Sequence, residues 1–482
     1  MSEFKSFIDI ELNYKVENIE YENIKIWPIL KPVLFSNFSS DNRKSKKEQI
    51  SKFRKIRPAF FNIYKLFKRN YKYILFTDTL EKRWLNNLYV DKTAQGIIDY
   101  LGQDNFLIIE NPVNDFHYSI KQCKAKNIVS LRFFQILSYA LSKLNLKNIS
   151  LDYESKEILS KISRELNVDV NYKKILKNFF AYVKVFKVFF SYLKPEIIFI
   201  NCYYSLAHMA AIYVAKNMKI KTVELQHGII NDKHLAYNFV KNFGNDLFPD
   251  YLFVYGKFFK NFFHDKNYFI NSENVYSVGY YYPEKLKEEN EFNALKSILD
   301  IKSNNSFHKI IVISSQITIE EELMNFMLNV AKRDPENLYV FRPRIIYKNY
   351  NTDNKPHNFY LSLKEEEDIY RLLKIADIHV TVYSTVCLES LYFGVPNIMV
   401  NIRNLAKLSF GDILKDERHT VYVETEEDFL SVINSWQFME KHDIMRYAEI
   451  FFESNHNLRL REALNIILNI SGNKSRGEKI EK

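Results

Sequence analysis

At 482 residues the chain is too long for one ordinary core, so two or three domains are expected. A hydrophobic share of 47% excludes a disordered chain. Ten glycines, with neither GxxxxGK[ST] nor GxGxxG present, argue against a P-loop or a dinucleotide fingerprint. Net charge is +10, and three scattered cysteines (Cys123, Cys202, Cys387) suit a reducing compartment without a disulfide framework or thiolate zinc site.

Residues 1–72 read as a partly helical lead-in. Between Arg43 and Lys72 stand twelve Lys/Arg against one acid, Glu48. No signal-peptide pattern opens the chain and no uncharged run approaches the ~20 residues of a membrane span, so a cytoplasmic protein is expected. Alternating strands and helices begin at residue 73. Strands are predicted at 74–76 and 106–109, with a third candidate at 149–151, and a loop at 77–83. Clearer strands follow at 197–200 and 222–225, separated by a helix over 207–216. Strands 251–255 and 275–278 close this half, stopping at Gly256 and Gly279. The expected N-terminal, acceptor-binding domain is 73–285.

Within 172–194 there are six lysines and no acid, interleaved with Phe179, Phe180, Phe186, Phe189 and Phe190. Two readings stay open: a helix lying on an anionic membrane surface, or a core helix with a solvated lysine edge. No RNP, zinc-finger or helix-turn-helix signature accompanies the basic stretches, so nucleic acid is not an expected partner.

A Lys/Glu/Asn-rich stretch at 283–305 reads as a linker, and the C-terminal, nucleotide-binding domain is placed at 286–455. Its predicted elements are strand 309–314, helix 320–332, strand 338–341, helix 365–375, strand 378–382, helix 386–393 and strand 397–400. The remainder is expected to be helical, with 456–482 a terminal helix and charged tail. Repeated β-α units predict parallel sheets. The fold class is α/β: two Rossmann-like domains facing across a cleft.

Ligands of open α/β sheets bind at the carboxyl ends of strands, and the candidate residues stand there. His227, in Gln226-His227-Gly228 after a strand, is the first choice for proton transfer near neutral pH. Asp78 and Glu81, after strand 74–76, are rival bases, and Arg83 could bind an acidic acceptor. Gln226, His234 and Tyr237 are close enough in sequence to line an acceptor site. In the second half, Tyr383, Ser384 and Thr385 open a helix whose N–H groups and hydroxyls suit a phosphate, and Glu389 one turn on could accept from a ribose. An ordinary cap would look the same. Ser314, Ser315 and Gln316 follow one strand of that half. Arg342 and Arg344 follow another, and guanidinium forks suit a diphosphate. With no HExxH, paired acidic motif or Cys/His cluster, no metal or other cofactor is expected.

Glu224-Leu-Gln-His-Gly228, Tyr255-Gly256, Val278-Gly279, Phe341-Arg-Pro-Arg344 and Tyr383-Ser-Thr385 with Glu389 and Gly394-Val-Pro396 together resemble GT-B glycosyltransferases of bacterial capsule and lipopolysaccharide synthesis. They are also similar to CDP-glycerol glycerophosphotransferases of teichoic acid assembly. The likeness covers residues 190–400. It implies His227 as base, with Ser384, Thr385 and Glu389 on donor phosphate and ribose. One departure is Arg344-Ile345, where those relatives read His-Pro, which weighs against the glycerophosphotransferase. The expectation is therefore a metal-independent glycosyltransferase using a nucleotide-sugar donor and a glycan or glycolipid acceptor. It would be peripheral on the inner leaflet through 43–72 and 172–194. The alternatives are a CDP-alditol phosphotransferase, a sugar-nucleotide epimerase, and a non-catalytic membrane-associated assembly scaffold.

Overall fold

The computed structural model describes residues 3–40, 56–68, 70–144, 148–263, 267–289, 293–346, 350 and 355–469. The basic residues 43–55 and the tail 470–482 lie outside the described residues. The chain divides into two compact units. The first comprises 1–82, 87–279 and 455–482, and the second comprises 83–86 and 280–454.

In the first unit seven strands form one parallel sheet: β1 (Tyr73–Asp78), β2 (Phe106–Asn111), β3 (Ile128–Ser130), β4 (Ile197–Ile200), β5 (Lys221–Leu225), β6 (Tyr251–Val254) and β7 (Val275–Ser277). Their order is β7-β6-β5-β4-β1-β2-β3. Strands such as Ile197-Ile-Phe-Ile200 are buried at every position, because helices cover both faces, and therefore read as unbroken apolar runs. The third strand is Ile128–Ser130, while the candidate at 149–151 lies outside any strand. Helix α1 (Leu131–Leu144) follows β3, α2 (Tyr172–Leu193) precedes β4, and α3 (Leu206–Asn217) follows it. Phe179, Phe186 and Phe190 of α2 are fully buried, whereas Lys173, Lys174, Lys184, Lys187 and Lys194 line its exposed edge. That helix is a core element with a lysine rim, and those three rings are closed to a bilayer.

The described residues of the lead-in belong to this unit. Its helices Glu3–Asn13 and Trp27–Ser40 share a buried pair, Lys31 Nζ to Glu11 at 2.7 Å, and the Trp27 indole and Val240 N–H also donate to Glu11. Such a carboxylate is satisfied by three donors, the condition for burying charge without a large penalty. The terminal helix His456–Leu468 also belongs here, with Asn465 accepting from the Tyr100 hydroxyl at 3.1 Å.

The second unit holds six parallel strands: β8 (Ile310–Ser314), β9 (Leu338–Arg342), β10 (Phe359–Leu361), β11 (Ile378–Thr381), β12 (Asn397–Val400) and β13 (Thr420–Val423). Their order is β10-β9-β8-β11-β12-β13. Strand β13 lies in a stretch expected to be helical. Helix α4 (Glu320–Arg333) follows β8, and α5 (Val386–Tyr392) follows β11. Gly394 ends that turn at φ +74°, where an added Cβ would come 2.8 Å from the Lys441 carbonyl, so only glycine fits. The expected boundary at 285/286 falls inside this unit, which begins at Tyr280. It also takes in 83–86, because the Trp84 carbonyl accepts from Arg371 Nη1 at 2.7 Å and from the Tyr282 hydroxyl at 3.0 Å.

Candidate functional sites at the two sheet edges

In each sheet the chain builds one flank outward from a central strand and then returns to build the other. The reversal falls between β1 and β4 in the first unit and between β8 and β11 in the second. Loops splay apart at such a switch point, leaving a crevice at the carboxyl edge.

A cavity of about 330 Å³ occupies the first crevice, lined among others by Asp78, Asn111, Gln135, Asn201, Ser205 and His208. Asp78, the last residue of β1, is half-buried and takes the Leu80 N–H at 2.7 Å. Burial and the Glu81 carboxylate push its carboxyl up to about 7, against the lowering influence of that N–H and of Lys92. A carboxyl with that value is divided between its two forms at neutral pH, which suits proton transfer. Glu81 differs: it is buried and paired with Lys92 at 3.5 Å, a structural role.

Beneath the cavity Asn201 Nδ2 donates to Thr77 Oγ1 at 3.0 Å, and Thr77 donates to Asp91 at 2.6 Å. Asp91 also accepts from the N–H groups of Thr93 and Ala94. This buried network fixes the ends of β1 and β4. His208 in α3 places Nδ1 2.5 Å from the Cys202 carbonyl. Its Nε2 is buried without a hydrogen-bond partner, and burial lowers the ring to about 4. The Cys202 thiol, pushed up to about 12 by burial, is no nucleophile at neutral pH. Asn201, Ser205 and His208 escaped the sequence reading, although the rule that selected His227, polar residues just past a strand, also selects them.

His227 stands beyond β5, half-buried, with Nε2 3.2 Å from the Tyr204 hydroxyl and Nδ1 buried without a hydrogen-bond partner. Burial, then Lys92 and His208, pull its pKa down to about 4. Its neighbours are mostly structural. Gln226 is 1% exposed, donates to the Gly228 carbonyl and accepts from the Tyr255 N–H, both at 2.8 Å, so it shapes the loop rather than meeting an acceptor. Tyr237 is 1% exposed and donates to Glu224 at 2.8 Å, which removes it from an accessible wall. His234 is half-buried, its ring 4.8 Å from that of Tyr237, and burial pulls it to about 4. Arg83 is grouped with the second unit.

At the second crevice, Thr381 Oγ1 donates to the Ser314 carbonyl at 2.8 Å and accepts from Gln316 Nε2 at 3.1 Å. The Thr318 and Tyr383 hydroxyls share a hydrogen bond. Gln316 Oε1 is buried without a hydrogen-bond partner. Ser384 caps its own turn by accepting from the Val386 N–H at 3.4 Å, and Ser384, Thr385 and Tyr383 are half-buried at the mouth.

Other candidates are engaged internally. The Ser314 hydroxyl lies 2.8 Å from Nε2 of buried His379, which also meets Asn397. Ser315 donates to Glu320, which also takes the Arg344 N–H and the Tyr350 hydroxyl. Arg342 Nη1 donates to the carbonyls of Ser362 and Lys364, holding the ends of β9 and β10 rather than standing open to a diphosphate. Arg344 is exposed. Glu389 is 5% exposed on α5, so its carboxylate is buried rather than presented along the rim to a ribose. No cluster of three or more His, Cys, Asp or Glu suited to a metal ion occurs among the described residues.

No family model and no curated protein matches the chain. Solved structures do match. The S. aureus MnaA–UDP co-structure aligns with a TM-score of 0.50 at 10% identity, over 83% of this chain and 98% of that one. The UDP-GlcNAc 2-epimerase of Methanocaldococcus jannaschii, in complex with UDP-GlcNAc and UDP, gives 0.46 at 12%, over 82% and 99%. The wall teichoic acid polymerase TagF gives 0.48 at 14%, over 88% and 98%. At such identities the first likeness shows a fold: the chain is an α/β protein of the GT-B-like class, with two Rossmann-like domains.

Proposed function

We propose that the chain is a glycosyltransferase that takes a sugar from a nucleotide-sugar donor and passes it to a glycan or glycolipid of a bacterial surface polysaccharide. One observation carries the reading: the second sheet reverses its strand order where Gln316, Tyr383, Ser384 and Thr385 gather at a carboxyl edge. The hydroxyls there would hold a nucleoside diphosphate, with the exposed Arg344 that follows β9 supplying a guanidinium. Fixed donors of this kind stabilise charge as it develops on a departing phosphate. The fold shared with a protein solved with UDP accords with this reading.

On the first unit, Asp78 is the better candidate for accepting the proton of an attacking hydroxyl. It opens into a cavity and titrates near neutrality, whereas His227 is a weak base hydrogen-bonded to Tyr204. Direct attack would then form the new glycosidic bond as the bond to the nucleotide's terminal phosphate breaks, with the proton going to the Asp78 carboxylate.

Incubation of the protein with a panel of nucleotide sugars and cell-derived acceptor, followed by identification of the released nucleotide, tests this. Release of a nucleoside diphosphate with labelled acceptor supports it. CMP released from CDP-glycerol would instead indicate alditol phosphate transfer, and isomerisation of a donor without acceptor would indicate an epimerase.

A further inference from the structure

Helix α1 is built inside out. Its buried face contains Leu131 and Phe134 but continues with Ser138 and Ser142, while Leu137, Tyr139, Leu141 and Leu144 stand 39%, 64%, 36% and 75% exposed. Amphipathic helices in soluble proteins turn such residues inward, so this outer face has an apolar partner still to meet.

The apolar surface extends beyond α1. The turns Arg57–Phe60 and Ile63–Phe67, on the same unit, leave Phe60, Tyr64 and Phe67 at 61%, 64% and 73% exposure. The Phe67 carbonyl accepts from the Tyr192 hydroxyl at 3.1 Å, which ties those turns to the last turn of α2. One turn back on α2, Val188 is 74% exposed.

Charge identifies the occupant. Residues 56–72, 131–144 and 172–194 contain no Asp or Glu. Lys68, Lys143, Lys184 and Lys187 are exposed around the apolar residues, and Lys143 and Lys65 lie 5.4 and 5.5 Å from the ring centres of Tyr139 and Tyr64. Among the acids paired with this region, Asp115 meets Arg132 in the first turn of α1, away from the apolar end, and Glu196 lies 3.8 Å from Lys72 with both side chains exposed. A rim of lysines around aromatic and aliphatic side chains matches an anionic lipid surface: ammonium groups reach phosphates while the rings enter the headgroup region. A second copy docked face to face would set this rim against its own like charges. A nucleic acid would leave the aliphatic residues without a partner.

We propose that the outer face of α1, with the turns at 57–67 and the exposed lysine edge of α2, docks the protein onto an anionic bilayer. The same helix lines the cavity beside Asp78 with Leu131 and Gln135 in its first turns. At ~1.5 Å per residue its length is about 20 Å, so docking would hold that cavity close to the lipid surface.

The test is co-sedimentation of the full chain with vesicles of phosphatidylglycerol and phosphatidylcholine, and with vesicles of phosphatidylcholine alone. Binding to the first and about tenfold less to the second is expected, weakening as salt shortens the Debye length. The variant carrying Lys143→Glu, Lys184→Glu and Lys187→Glu should lose binding by about tenfold or more, and the exposed Leu137→Ser, Leu141→Ser, Leu144→Ser variant should also bind less. Both should melt as the parent does, because these side chains are exposed; if either does not, single substitutions replace the triple. Absence of vesicle binding, equal binding by the charge variant, or a concentration-dependent dimer abolished by the leucine changes would each overturn the proposal.

Discussion

The Tyr204 hydroxyl stands 3.2 Å from Nε2 of His227, and with the ring pulled to about 4 this imidazole is neutral at pH 7. It is thus a hydrogen-bonded member of an aromatic cluster with Tyr204, His234 and Tyr237. His227→Gln should lower turnover by less than Asp78→Asn does and leave the shape of the pH–rate profile intact. A loss as large as that of Asp78→Asn, with a flattened profile, would return the proton-transfer role to His227.

Asp78 should dominate the pH dependence. A general base works ionised, so kcat/KM is expected to rise with pH through about 7, the value to which burial and Glu81 push this carboxyl. Asp78→Asn should remove that limb and about 10²- to 10⁴-fold of the rate while nucleotide binding persists. An unchanged limb in the variant would assign it to another group.

Glu224 sets a stability gradient of opposite sign to that of the buried histidines. Burial holds it at about 8, so between the ordinary carboxylate range and pH 8 the folded chain keeps a proton that the unfolded chain has lost. Stability therefore falls as pH rises across that window, and Glu224→Gln should flatten the fall in calorimetric melts. His227 and His208, both pulled to about 4, act the other way. Below about 6.5 the unfolded chain takes up protons first, so stability falls on acidification toward pH 4.

Arg371 is a buried cation of the second unit, reaching Asp368 and Glu289 at 3.1 Å and the Trp84 carbonyl at 2.7 Å. Arg371→Ala would take the cation from buried Asp368 and partly exposed Glu289 and should cost about 3–5 kcal/mol in denaturant unfolding. A loss below about 1 kcal/mol would mean that water replaces these contacts readily.

Most strands were legible because parallel strands covered on both faces are apolar throughout, as in Ile310–Ser314 and Ile197–Ile200. Ile128–Ser130 was missed because three residues are too few to show a pattern. Phe359–Leu361 and Thr420–Val423 were missed because they close the sheet's edges and are only partly buried. The candidate residues are legible by position but not by partner. Asp78, His227, Ser384 and Thr385 were found by their place after strands. That Arg342 is tied to Ser362, Tyr237 to Glu224 and Thr77 to Asn201, 124 residues away, depends on tertiary contacts that no local spacing encodes. The exposed apolar face of α1 was invisible for a related reason: periodicity reveals two faces without saying which one the core takes.

Calorimetric titration with UDP, CDP, GDP and their sugar conjugates tests the central claim, that the β8/β11 crevice holds a nucleoside diphosphate. One of these ligands is predicted to bind with Kd between about 1 μM and 1 mM. Tyr383→Ala, or Ser384→Ala with Thr385→Val, should weaken it by about tenfold or more, the equivalent of one or two charge-assisted hydrogen bonds. No heat from any of them, or the same affinity in the variants as in the parent, would contradict the account.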